Sequence, residues 1–290
     1  MACTKFVPLF SRYYSCAQNA AARFKLSVQV CSSDAGTGQE GLLLEAETLD
    51  VVEAAAVDIL KAVDKAIGCN YFVGFCLDPE RHAAVVSNIR AFQLQAQAAA
   101  PCMTALAVSP WVGLDRLTLC LLPLKLYNAE AVVRTSEVLA TVCARNSPLH
   151  VTFEWGRPLG PMKWVMCPHP RDAERLRHFA VEVHAQLRDA GLVAPEGKLM
   201  CNPHVSLIKI SWDPVSKAAK QAAAQAASEM KLTKKGLFAM PEGPLFEGSL
   251  FGDCTFDTLR LLHIDGPTVR GSVHAIASEH LLRGSRCASF

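Results

Sequence analysis

The segment with the most chemistry in its side chains is Asn202-Pro203-His204-Val205-Ser206-Leu207. Side chains two apart on a strand point the same way, so an H-x-S strand presents an imidazole and a hydroxyl side by side on one face. That pair suits a phosphodiester. The imidazole can move a proton to or from an attacking or leaving oxygen near neutral pH, while the hydroxyl donates to a non-bridging phosphate oxygen. The spacing alone is common, so its weight depends on the elements that position it.

Those elements read as two similar halves. Tyr71 to Leu77 is a strand-like run, Asp78-Pro79 supplies an N-cap and a first-turn proline, and a helix follows with Val85, Ile89 and Phe92 on one face. Met103 to Val108 and Arg116 to Leu124 read as strands, and Asn128 caps a helix carrying Val132, Val138, Leu139 and Val142. In the second half, Leu149 to Trp155 and Trp164 to Met166 read as strands, and a helix enters at Pro170 and stops at Gly191. His204 to Ile210 is then the matching strand. Thr258 to Ile264 and Val269 to Ala277 form a final pair joined through Asp265-Gly266-Pro267. The expected fold class is α+β, with the second half repeating the architecture of the first.

Upstream, residues 1–41 read as a leader and linker. The stretch before Asp34 holds Lys5, Arg12, Arg23 and Lys25 and no acid, the composition of a mitochondrial transit peptide or of a frayed terminus that is basic by chance, and Ser32 to Gly41 is rich in Gly and Ser. Leu42 to Ile67 is predicted as an amphipathic helix extension through Val52, Ala56, Ile59, Leu60 and Val63. Residues 280–290 read as a tail. Pro214 to Met230 favours helix through its alanines, and Lys217, Lys220, Lys231, Lys234 and Lys235 make its neighbourhood the most basic in the chain, a solvated face or a grip on a nucleic-acid backbone.

Composition narrows the function classes. A net charge of +2 and 51% hydrophobic residues describe a folded chain without the excess of cations that coats DNA, so any nucleic-acid contact is local. Twelve cysteines are scattered with no CxxC pair, which speaks against zinc ribbons and thioredoxin chemistry and for reduced thiols acting as small buried hydrophobes. No run approaches a membrane span of about 20 apolar residues, so no membrane contact is expected. His82, His178 and His184 fall on predicted helices without a second ligand at metal spacing; neither a metal nor a cofactor is expected.

From Asn70 to Glu279 the sequence resembles the 2H phosphoesterase superfamily, specifically its 2'-5' RNA ligase-like and A-kinase-anchor-protein-type branches. Asn70-Tyr71-Phe72-Val73-Gly74-Phe75 is similar to the family's opening strand, and Asn202-Pro203-His204-Val205-Ser206-Leu207 to its second signature. The resemblance implies two pseudo-symmetric lobes, each an antiparallel sheet with helices on its outer face, whose H-x-T/S strands face each other across a central cleft, one histidine acting as base and the other as acid. By the order of elements, the first signature falls on Asp115-Arg116-Leu117-Thr118-Leu119, where the hydroxyl is present and Arg116 stands in place of the histidine. Leu149-His150-Val151-Thr152-Phe153 is a better literal match. Its histidine, however, lies only 54 residues before His204 (204 − 150), against 88 for Arg116 (204 − 116), too few for a complete lobe.

Arginine stays protonated, so it cannot act as a general base, but it grips phosphate well. The expected site is therefore His204, Ser206 and Thr118 as catalytic-type groups, with Arg116, Thr118, His204, Ser206 and the stacking candidate Trp212 binding substrate. The expected function is recognition of RNA or nucleotide phosphate, with impaired catalysis, among protein partners of an RNA-processing assembly. Two alternatives stay open: an active metal-independent cyclic phosphodiesterase or RNA 3'-end enzyme, and a scaffold with a vestigial cleft.

Overall fold

A computed structural model describes residues 2–32, 39–99, 111–159, 163–193, 199, 201–209, 250–264 and 275–284. The chain begins with a folded module: strand β1 (Cys3–Pro8), helix α1 (Tyr14–Ala21), strands β2 (Ser27–Ser32) and β3 (Glu40–Ala46), and helix α2 (Leu49–Ala66). The three strands form an antiparallel sheet in the order β1-β3-β2. Val7, Leu9, Ala17, Leu42, Leu44, Val52, Ile59 and Val63 are buried together beneath it.

Strand β3 thus runs across the boundary drawn between residues 41 and 42. The acid-poor stretch is strand and helix whose apolar residues fill a core, and Leu42 to Ala46, read as the start of the helix, belongs to strand Glu40–Ala46, which alternates buried and part-exposed residues. Cleavage near residue 41 would take β1, α1 and β2 from under α2. On α2, Leu60 is 40% exposed and faces a groove of about 340 Å³ shared with Phe6, Tyr127 and Leu192 instead of the module's core.

The main domain runs β4 (Tyr71–Cys76), α3 (Ala83–Ala99), β5 (Thr118–Leu124), α4 (Ala129–Arg145), β6 (Leu149–Pro158), β7 (Lys163–Pro168), α5 (Pro170–Asp189), β8 (Val205–Lys209), β9 (Gly252–Phe256), β10 (Thr258–His263) and β11 (Ala275–Leu281). Local signals explain the helix ends. Asn128 accepts from the Ala131 N–H at 2.8 Å at the start of α4. Pro170 opens α5, and Gly191, at φ +71°, lets Leu192 N–H turn back to the Leu187 carbonyl at 2.9 Å. Asp78 Oδ1 caps the N–H groups of Glu80 and Arg81, one turn ahead of α3. Met103 to Val108, Pro214 to Met230, the Lys217 to Lys235 cluster and the Asp265-Gly266-Pro267 turn lie outside the described residues.

All eight strands join one antiparallel sheet, in the order β11-β10-β4-β5-β8-β7-β6-β9. The expected two sheets are thus two four-stranded halves meeting edge to edge at β5 and β8. Each half holds one strand–helix–strand unit, β4-α3-β5 and β7-α5-β8, which is the expected pseudo-symmetry. Phe75 of β4 stacks on Phe256 of β9 (4.9 Å between centroids) and Phe179 of α5 (6.0 Å), and Phe153 of β6 meets Phe256 edge-on, so one aromatic cluster ties the halves. All ten described cysteines are free, but only Cys143, Cys167 and Cys254 are buried, fewer than expected. Among the described residues no helix is long and apolar enough to cross a membrane.

Asn70 joins module to domain. Fully buried, its amide nitrogen donates to Tyr13 Oη (2.7 Å) and to the Leu126 carbonyl (2.6 Å), while its Oδ1 accepts from Leu126 N–H (2.9 Å). Replacing Asn70 with Ala strands the buried Leu126 groups, and the expected loss is about 2–4 kcal/mol of unfolding free energy. Urea denaturation followed by circular dichroism measures it; an unchanged midpoint would show that the module is only loosely attached.

Candidate functional site

Strands β5 and β8 pair antiparallel with Leu119 opposite Val205. Both are fully buried. Because facing residues share a side of the sheet, Thr118 then neighbours Ser206, and Cys120 neighbours His204, all on the side turned away from the core. Exposure alternates to match: Leu117, Leu119 and Leu121 on β5 and Val205 and Leu207 on β8 are buried, while Thr118, Cys120, His204 and Ser206 are partly exposed. Three of the expected site residues are therefore brought together on neighbouring strands: Thr118, His204 and Ser206.

His204 lies just before β8, and its Nδ1 stands 2.6 Å from the Asn202 carbonyl oxygen. A carbonyl only accepts, so this bond places the proton on Nδ1 and makes Nε2 the nitrogen that gains or loses a proton. Pro203 between them holds Asn202 in the extended conformation that brings its carbonyl back to the ring.

Arg116 is not on the strand. It closes a one-turn 3-10 helix, Leu114–Arg116, with its N–H on the Gly113 carbonyl (2.9 Å) and its aliphatic stem against Gly113. The strand expected from Arg116 starts at Thr118 because this turn redirects the chain, and Trp111 takes up the pairing with Ile208 at the end of β8. Trp212 lies outside the described residues. His150 sits at the far end of β6, its Nδ1 3.3 Å from Thr255 Oγ1. Gly156 of β6 shares a row with Met166 and Val205, so His150 is six residues along the strand from it, roughly 20 Å away. Among the described residues no cluster of His, Cys, Asp and Glu fits a metal ion. His82 is engaged structurally, accepting the Asp78 N–H at 2.9 Å.

The same face holds groups that the sequence reading passed over. Gly74 pairs with Cys120 on one side and Arg260 on the other, and Arg260 pairs with Glu279. Arg260 Nε stands 2.6 Å from Glu279 Oε1, and its guanidinium lies beside the Cys76 thiol. Burial pushes the Cys76 thiol above its ordinary value, against the guanidinium that pulls it down. In the other half, Arg157 of β6 donates from Nε to Cys167 Sγ at 3.2 Å. The available signal for Arg260 was one charged residue in the apolar run Leu259-Arg260-Leu261-Leu262. Nothing in the sequence shows which strands flank it.

Taken as chemistry, the face offers two hydroxyl donors, one imidazole in the motif rows, and guanidinium groups on either side. This can hold a tetrahedral anion and make one proton transfer.

The chain is similar in fold to several solved structures. TT0787 of Thermus thermophilus is 14% identical, with 74% of this chain and 99% of that chain covered at a TM-score of 0.48. E. coli LigT complexed with 3'-AMP is 15% identical, with 73% and 97% covered at 0.47. A structure described as a phosphoesterase is 16% identical, with 74% and 99% covered at 0.42. No protein-family model and no curated protein matches the chain.

Gly74 lets β4 lie close against β5: a methyl group there would collide with the Leu119 carbonyl oxygen, which belongs to the backbone and cannot rotate away. Gly74→Ala is expected to destabilise the protein by about 1–3 kcal/mol, the usual cost of overpacking. A guanidinium unfolding curve indistinguishable from wild type would mean that β4 and β5 are further apart than described.

Proposed function

We propose that the outer face at the β5–β8 seam recognises a phosphate of RNA or of a nucleotide, with little turnover, and that it does so within an RNA-processing assembly. The observation that carries this reading is the convergence of Thr118, Ser206 and His204 on one partly exposed face, beside one another on neighbouring strands. The two hydroxyls donate to non-bridging oxygens. Nε2 of His204 serves one proton transfer, or donates to the anion when protonated.

Hydrolysis of a phosphodiester needs a proton removed from the nucleophile and one delivered to the leaving oxygen. Arg116 cannot supply the second transfer, since its guanidinium keeps its proton, and the loss of one such group costs on the order of 10²- to 10⁴-fold in rate. Arg116 instead places a permanent cation two residues before Thr118, at the entrance to the same strand.

The test is binding and turnover of short RNAs ending in a 3'-phosphate, a 2',3'-cyclic phosphate or a hydroxyl, without metal. The phosphate-ended RNAs are expected to bind more tightly than the hydroxyl-ended one. His204→Ala and Arg116→Ala are each expected to weaken their binding by roughly 1.5–3 kcal/mol, the worth of hydrogen bonds to charged groups. Rapid metal-free opening of the cyclic phosphate, lost in His204→Ala, would replace this reading with an active phosphodiesterase; equal affinity for all three ends would leave a scaffold.

A further inference from the structure

Arg157 and Arg260 stand in equivalent places. Counted outward from the seam, β8, β7 and β6 in one half match β5, β4 and β10 in the other. Arg157 is on the third strand of its half and donates to Cys167 on the second; Arg260 is on the third strand of the other half and lies beside Cys76 on the second. Arg157 shares a row with Val165 and Ser206, one row to one side of the Leu119–Val205 pair. Arg260 shares a row with Gly74 and Cys120, one row to the other side. A line from one arginine to the other therefore crosses the Thr118, Ser206 and His204 group on the diagonal.

Five strand-to-strand steps separate β6 from β10, about 24 Å along the sheet surface at roughly 4.8 Å per step. One phosphate cannot engage both ends of such a line. A polymer with a phosphate at every residue can, and a stacked strand advancing about 3.4 Å per nucleotide would cover it with about seven nucleotides. Arg157 is held by its bond to Cys167 and Arg260 by its ion pair with Glu279, yet each has further N–H groups for an anion, since the side chain carries five. Arg157 is exposed, and Arg260, with its side chain 20% exposed, is partly screened by Glu279.

We propose that the outer face binds a single strand of nucleic acid lengthwise, with the central phosphate at Thr118, Ser206 and His204 and flanking phosphates at Arg157 and Arg260. This rests on the phosphate-recognition reading above and adds the ligand's length and path. The preference for nucleic acid over an acidic peptide comes from the centre, where hydroxyl donors and an imidazole suit a tetrahedral phosphate better than a planar carboxylate.

The test measures, by fluorescence anisotropy on the full chain, affinities for single-stranded RNAs of two and roughly ten nucleotides with the same 3'-phosphate, across a salt series. The longer RNA is expected to bind at least tenfold more tightly. Arg157→Gln and Arg260→Gln are each expected to weaken the longer RNA about five- to twentyfold and the dinucleotide less than twofold. Each change is also expected to reduce the slope of log K against log salt by about 0.7. Arg157→Lys and Arg260→Lys keep the charge and are expected to restore the slope, which a misfolded variant would not do. Equal weakening of both lengths, no dependence on length, or competition by polyglutamate as effective as that of the longer RNA overturns the proposal. If His204→Ala leaves dinucleotide binding unchanged while the length dependence and the arginine effects persist, the central phosphate site fails and, with it, the placement proposed here, whereas loss of the arginine effects alone leaves that site standing.

Discussion

The pairing of Leu119 with Val205 is the constraint on which the functional face depends. It is the junction of the two half-sheets, and both residues are fully buried. Since side chains alternate across a strand, burying these two forces their neighbours Thr118, Cys120, His204 and Ser206 outward. A slip of one residue in either strand would drive a hydroxyl or an imidazole into a hydrocarbon core and lift a leucine or valine into water. The face is thus held by what lies beneath it: Phe75, Phe153, Phe179 and Phe256 pack under both halves and hold the seam closed from below.

Much of the architecture was legible because its signals are local. Asn128, Pro170 and Gly191 act within one turn of their own positions, and the alternation around His204 and Ser206 states which side chains leave the core. The N-terminal module was misread for the same reason. A stretch with few acids and scattered small residues has no strong period, and its strands become strands by pairing with β3 and burying Val7, Leu42 and Leu44 under α2. β9 was missed because it is short and sits at the sheet's edge.

The face was legible only in part. His204, Ser206 and Thr118 follow from the motif spacing. The turn that draws Arg116 off the strand is closed on the Gly113 carbonyl and follows the pairing of Trp111 with Ile208, a contact between distant parts of the chain. Arg157 and Arg260 are separated by about a hundred residues of sequence and by five strand steps in space, and only the strand order shows that they flank one motif. The thiols beside them also give two of the scattered cysteines a role beyond filling volume: Cys167 accepts from Arg157, and Cys76 lies against the guanidinium of Arg260.

The strand order also sets a timetable for synthesis. The N-terminal module is complete by Ala66 and draws its core from its own residues, so it can fold while the rest of the chain is still being made. β4 and β5 emerge soon after, yet β5 must wait for β8 and β4 for β10, which begins only at Thr258. Until then both strands present unpaired edges of apolar sequence, the condition under which chains associate wrongly. The docked module, anchored through Asn70 where β4 begins, gives the nascent domain a folded neighbour at that vulnerable stage. A ribosome that stalls after β8 would leave a chain with its motif strands made but β4 still open along one side.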